Sequence, residues 1–273
     1  MAIALGKLKR FTRFISYTLL VLFLTALTQI GGVVLLLASI LKYRIKNRLL
    51  GNTPILFFGL YLASTFLIVP YLAPLFGREK VNHFAATPTN YVTVLLNRNY
   101  IKPGLNDLLI RTLHQLQSSN SDVQLHYLDA NFPFIDKFPL LPHLSHSDGK
   151  KIDLSLVYQT PKGTISQKQK SRSGYGVFAG PKDHEYDQIA RCKSDGFIQY
   201  DYPKYVTFGK VNDKLEFSEL GTSQLIKAIL KQPELGKLFI EPHLKTRLNL
   251  NHNKIRYHGC RAVRHDDHIH LQL

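Results

Sequence analysis

The chain has 273 residues, with 35 Lys and Arg against 19 Asp and Glu, a formal charge of +16 and only two cysteines. The length would suit one or two domains if all of it were soluble, but residues 1–80 are far more apolar than the rest. The cysteine spacing does not suit a metal site of its own, and no Gly-rich phosphate loop or basic–aromatic interleaving points to nucleic acid.

Two apolar stretches fill residues 1–80. The first runs from about Ile15 to Leu41 with Gln29, Gly31 and Gly32 in its middle, and the second from about Pro54 to Phe76 with Pro70 inside it. Each exceeds the roughly 20 residues that cross a hydrocarbon core of about 30 Å. The first is too long for a cleaved signal peptide, and no small-residue cleavage site precedes Lys42. Residues 1–80 are therefore expected to form a membrane anchor of two transmembrane helices (15–41 and 54–76), with both chain ends on one side. Lys42, Arg44, Lys46 and Arg48 would hold the connecting loop in the cytoplasm, whereas Lys7, Lys9, Arg10 and Arg13 argue the opposite. Charge alone leaves the orientation open.

Residues 81–90 read as a linker and residues 91–273 as one compact domain, long enough for a proper core. Leu105, Leu108, Leu109, Leu113 and Leu116 fall at helical spacing, with Asn106 or Asp107 near the start as a cap. Val123, Leu125 and Tyr127 alternate with polar residues, as do Ile152, Leu154 and Leu156 around Asp153, Ser155 and Val157. Both patterns predict strands. A second helix is expected from about Ser218 through Leu230, a short strand at Leu238–Ile240 and a last one at Ile269–Leu273. Residues 160–217 are rich in Gly, Lys, Asp and Tyr and read as long loops shaping a groove, with the run from Lys168 to Arg172 in a mobile one. The class is α+β, a small antiparallel sheet with flanking helices.

The chain closes on His265-Asp266-Asp267-His268-Ile269-His270-Leu271-Gln272-Leu273. On a strand, His268 and His270 share one face while Ile269 and Leu271 turn to the core. Two imidazoles on an apolar backing suit a borderline-soft metal such as zinc. Upstream, His146 sits in a turn marked by Ser145, Asp148 and Gly149, and Asp153 opens the alternating strand. Either half alone reads as well as ordinary surface.

Together the halves resemble a known group. His-x6-Asp with Gly three after the His, followed by His-x-His, is similar to the zinc metallopeptidases that link lysostaphin-type enzymes, D-Ala-D-Ala peptidases and the hedgehog domain. The tail resembles most the penicillin-insensitive murein endopeptidases. The resemblance rests on two short motifs and excludes the apolar segments. It implies a hedgehog/D-Ala-D-Ala peptidase-like fold and Zn²⁺ on His146, Asp153 and His270. It further implies that His268 is a catalytic base or oxyanion stabiliser and that His265 lines the same cleft. Leu144 departs from the family, which often has Ser two places before the first His. Asp266 or Asp267 could orient one of these histidines.

The implied activity is hydrolysis of peptidoglycan peptide bonds, of murein endopeptidase or DD-carboxypeptidase type, and the alternative is an inactive zinc-containing binding module. Such a substrate places the anchor in the inner membrane and the domain in the periplasm or cell exterior, with the basic N-terminal tail translocated. The expected partners are peptidoglycan and the lipid bilayer, with no nucleic acid. Cys192 and Cys260 suit either a bridge or two buried thiols, and His184 and Glu241-Pro242-His243 read as surface segments.

Overall fold

The computed structural model describes residues 2–45, 52–141 and 143–273; Lys46 and Arg48 of the basic loop lie outside them. Helix α1 (Ala2–Thr28) ends where Gln29 takes a left-handed φ of 67°. Gly31 and Gly32 then start α2 (Gly31–Lys42), which folds back along α1. The return is tight enough to need glycine: a Cβ on Gly32 would meet Thr25 Oγ1 at 2.0 Å. Tyr17 Oη and Ser39 Oγ, 2.7 Å apart, tie the pair further along. The stretch 15–41 is thus a helical hairpin, not the single span its composition suggests.

Helix α3 (Thr53–Ala63) runs on through a π turn (Ser64–Ile68), one α turn (Val69–Leu72) and a 3-10 turn (Ala73–Phe76). Pro70 and Pro74 carry no N–H, so the regular ladder cannot continue past them and the chain shifts to looser and tighter turns. Among the described residues, two helices, Gly6–Thr28 and Thr53–Phe76, are long and apolar enough to cross a membrane. At 12 residues, α2 reaches only about 18 Å.

The hairpin changes where the N-terminus lies. Gln29 Oε1 accepts from the Phe134 amide at 2.9 Å, and Ile30 packs with Val69, Ala73 and Tyr100. The turn of the hairpin therefore touches the domain. Lys7, Lys9, Arg10 and Arg13 stand roughly 22–32 Å back along α1, and Lys42 and Arg44 occupy the far end of α2. Both basic groups sit at the end remote from the domain. Two simple spans would instead set the two basic groups at opposite ends of the first helix.

The domain is mixed α/β, built on a six-stranded sheet. In chain order its strands are β1 (Ala86–Pro88), β2 (Leu125–Asp129), β3 (Lys151–Ser155), β4 (Lys237–Phe239), β5 (Ile255–Arg256) and β6 (His268–Gln272). Their spatial order is β5-β4-β6-β3-β2-β1. The four central strands are antiparallel, but β1 joins β2 and β5 joins β4 in parallel. The sheet is therefore mixed, where an antiparallel one was expected. Crossover connections seat both edge strands.

Among the helices that accompany the sheet are α4 (Tyr91–Leu95), α5 (Pro103–Ser118) and α6 (Glu219–Leu230). Ser218 Oγ caps α6 by accepting from the Gly221 amide at 3.2 Å. Leu105, Leu108 and Leu109 of α5 and Leu225, Ile226 and Ile229 of α6 share one core with Ile152, Leu154, Ile269 and Leu271 of the sheet. Asn106 does not cap α5; it is buried, accepting from the Asn82 amide and donating to Lys80 O. The 81–90 segment is no free linker, since Val81, Ala85 and Ala86 are core residues and β1 lies within it. The Lys168–Arg172 run is likewise packed: Gln169 and Ser171 are buried, and Ser171 bridges to Lys210.

Ile269, on a central strand and fully buried, should be costly to truncate. Ile269→Ala is expected to lower the unfolding free energy by about 2–5 kcal/mol, read by chemical denaturation of the full chain in detergent. Gln272→Ala, at the strand end, should shift it by no more than about 0.5 kcal/mol.

Candidate metal centre

Strand register builds the site. In the antiparallel pair β3–β6, His270 lies opposite Asp153 and His268 opposite Ser155. Because alternate residues face opposite ways, Ile152, Leu154, Ile269 and Leu271 enter the core while Asp153, His268 and His270 gather on the other face. The loop before β3 delivers His146. There Gly149 adopts φ 76° and donates its amide to Asn131 Oδ1 at 3.1 Å. Asp148 Oδ1 accepts from the Lys150 amide at 3.0 Å, closing the turn that the sequence marks.

Asp153, His146 and His270 converge. His146 Nε2 is 3.2 Å from His270 Nδ1 and 3.2 Å from Asp153 Oδ1, and His270 Nδ1 is 2.7 Å from the same oxygen. All three side chains are buried. His146 Nδ1–H donates to Ala130 O at 2.9 Å, which fixes the tautomer and leaves the Nε2 lone pair facing inward. A carboxylate oxygen and two imidazole nitrogens then meet with at most one hydrogen among them. That hydrogen on a neutral His270 satisfies the contact, and so does a cation in its place. Burial opposes charge on His146, yet the Asp153 carboxylate outweighs it and raises the imidazole pKa. Burial takes His270 the other way, down to about 4. For Asp153, burial is overcome by His146 and His268, and its carboxyl is held well below the usual range.

His268 stands beside this set, its Nε2 3.9 Å from Asp153 Oδ1. Its Nδ1–H donates to Asp267 Oδ1 at 2.5 Å, and Asp267 Oδ2 accepts from the Gly176 amide at 2.6 Å. Of the two candidate aspartates, Asp267 is thus the one that orients His268. Burial disfavours the imidazolium, but Asp267 and Asp153 together push its pKa up to about 9. Asp266 serves elsewhere, accepting two bonds from Arg264. His265 lines the same space, its ring 4.7 Å from that of His268 and stacked on His258 at 5.3 Å. Burial and the neighbouring imidazoles drive its pKa well below the ordinary value.

Sequence reasoning missed three residues that close the other wall. His143, His146 and Asp153 form a cluster that can hold a metal ion, their ligand atoms within 4.8 Å of one another. His143 Nδ1–H donates to Asp129 Oδ2 at 2.9 Å, and Arg98 pairs with the same carboxylate. Tyr175 Oη donates to Asp153 Oδ2 at 2.7 Å; burial keeps the phenol protonated, with a pKa well above its ordinary value. The signal for His143 was present, one helical-turn spacing ahead of His146. Asp129 and Tyr175 carry no local signal, since β2 and a distant loop bring them in.

Cys192 and Cys260 form a disulfide, pinning the 188–206 region to the segment before β6. His243 and Glu241, expected on the surface, are buried, and His243 Nε2–H donates to Ala179 O at 2.9 Å. His184 is exposed. No family model matches the chain, and no curated protein matches it.

Glu241 supports the site from beneath. Its Oε1 accepts from the His265 amide at 2.9 Å, and Tyr200 Oη donates to it at 2.7 Å. Burial and the Asp266 charge nevertheless push its carboxyl up to about 7. Folding therefore takes up a proton wherever the unfolded carboxyl, near 4.5, has already lost one. The resulting stabilisation is complete below about pH 4.5 and is lost as pH rises through about 7. Glu241→Gln keeps the neutral form at every pH. Its stability relative to wild type should rise across that window, as read from denaturation midpoints at pH 5 and pH 8. A constant difference between the two would remove this account of Glu241.

Proposed function

We propose that this protein is a membrane-anchored zinc peptidase acting on peptidoglycan peptides outside the cytoplasm. The observation that carries the reading is the buried convergence of His146 Nε2, Asp153 Oδ1 and His270 Nδ1, three inward-facing donors within 2.7–3.2 Å of one another. Two imidazoles and one carboxylate match the preferences of zinc, and three protein ligands leave a fourth position open, as catalytic sites require. His143, which shares the cluster with His146 and Asp153, is engaged by Asp129 and serves here as a neighbour.

When bound, zinc would supply Lewis acidity toward a carbonyl and lower the pKa of a water to about 7. The chain's own residues do the rest. His268 holds a proton at Nε2, aimed by Asp267, and can donate it to a carbonyl oxygen that gains charge or to a leaving amine. His265 stays neutral and excludes water. Tyr175 fixes Asp153 by engaging Oδ2, leaving Oδ1 for the metal.

Two features support an extracytoplasmic domain. The basic residues of α1 and α2 crowd the end remote from it, and the positive-inside rule keeps that end in the cytoplasm. The N-terminal tail then needs no translocation, which replaces the orientation expected from two simple spans. The Cys192–Cys260 disulfide belongs in an oxidising compartment. The basic surface suits an anionic polymer.

The test is zinc titration and peptidoglycan digestion by the full chain in detergent, with products identified by mass spectrometry. Wild type should release defined peptide fragments and stop on chelation. His270→Ala should lose both zinc and activity, whereas His268→Ala should keep zinc and lose about 10²–10⁴-fold in rate. Stoichiometric zinc without release of any fragment would leave the metal-stabilised binding module as the better reading.

A further inference from the structure

An apolar pocket of about 250 Å³ opens beside the metal centre. Its walls come from both parts of the molecule: Leu27 from α1, Val92 and Leu96 from α4 and the residue after it, Leu128 from β2, and Leu141 and Phe208 from loops. Its inner end is formed by Asp129, His143 and Tyr175, and Tyr175 in turn donates to Asp153. The pocket and the metal centre therefore share a wall. At the mouth, Val92, Leu141 and Phe208 remain 54%, 64% and 72% exposed, which is unusual for large apolar side chains clustered on a water-facing domain.

The position of α1 explains that exposure. Arg13 and Lys42 mark one edge of the apolar layer, and Leu27 lies roughly 21 Å from Arg13 along the helix. A hydrocarbon core of about 30 Å measured from that edge extends roughly 9 Å beyond Leu27. The α3 segment agrees: Leu75 and Phe76 are exposed, one turn beyond the level at which Ile30 packs against Val69 and Ala73. Leu27 lies at the domain end of the apolar helix Gly6–Thr28, so the pocket sits where that helix meets the domain.

The polar groups on the wall are already engaged. Asn90 Oδ1 accepts from the Val92 and Thr93 amides, and Thr93 Oγ1 donates to Leu128 O. Arg98 pairs with Asp129 and donates to Leu141 O, and Ser173 Oγ accepts from the Tyr175 amide. A peptide entering here would bury backbone amides against apolar walls without partners, at a cost of kilocalories each. A hydrocarbon chain carries no such groups.

We infer that this pocket is an acyl-chain subsite, and that the centre acts on peptides carried by a lipid tail held in the bilayer. The inference rests on the peptidase reading for its reaction, while the pocket's occupant can be tested without it. The tail enters from the membrane between α1 and α4, and the attached peptide lies across His143 and Tyr175 onto the metal face.

The test uses the full chain in lipid nanodiscs with a D-alanyl stem peptide, either free or bearing a palmitoyl chain. Wild type should cleave the acylated peptide with a kcat/KM at least about tenfold higher, since each buried methylene contributes. Leu96→Trp, which fills the pocket, should abolish that preference and leave the free peptide's rate unchanged. Binding is read separately. The chain contains no tryptophan, so Phe208→Trp gives a single reporter at the mouth. Acylated peptide with a brominated tail should quench it saturably near one equivalent. Equal cleavage of both peptides without saturable quenching would overturn the acyl subsite and leave the peptidase intact. Saturable quenching with neither peptide cut would retain the subsite and remove the peptidase. Neither cleavage nor quenching would remove both.

Discussion

The register of the β3–β6 pair is the constraint on which the rest depends. One antiparallel ladder places His270 opposite Asp153, and the same ladder sends Ile152, Leu154, Ile269 and Leu271 into the core. A slip of one residue would turn the histidines and aspartate into the apolar core and four large apolar side chains onto the polar face. The cost of that exchange, unpaired imidazoles and a carboxylate among apolar side chains, locks the register. The core thus holds the metal face in place, and the donor atoms need no geometry of their own making.

Much of this was legible along the chain because the period-2 alternation around Asp153 and His270 encodes both the strand and the facing. What alternation cannot encode is the third dimension. Asp129 and Tyr175 reach the site only because β2 pairs with β3 and because the 171–176 loop folds over them. Neither has a spacing motif to announce it. The burial of Glu241 and His243 was equally hidden, since a Glu-Pro-His segment reads as surface until the loop bearing Ala179 covers it. The parallel edge strands escaped as well: two- and three-residue strands carry too little pattern to show their direction.

The membrane segment shows a different limit. Hydropathy counts apolar residues and cannot see a reversal inside a run. Gln29 at positive φ, followed by two glycines, was the available sign, and its meaning lies in sterics, because only glycine lets α2 approach Thr25 and Val21 so closely. That reversal removes the conflict between the two basic clusters, which oppose one another on two straight spans and agree on a hairpin.

The hairpin also determines what the metal face can reach. A simple tether would leave the domain free to tilt and sample soluble polymer. Here the hairpin turn is bonded to Phe134, and Asn97 donates to Tyr61 and Thr65 within the second apolar helix. The domain is docked at two points, so its orientation to the apolar helices is set. A polar pairing such as Asn97 with Thr65, buried between helix and domain, has no water to replace a lost partner. Burying an acidic and histidine-rich centre is costly unless its charges are paired internally. The bonds of Asp129 to Arg98 and His143, and of Asp267 to His268 and Gly176, provide that pairing on both sides of the donor set.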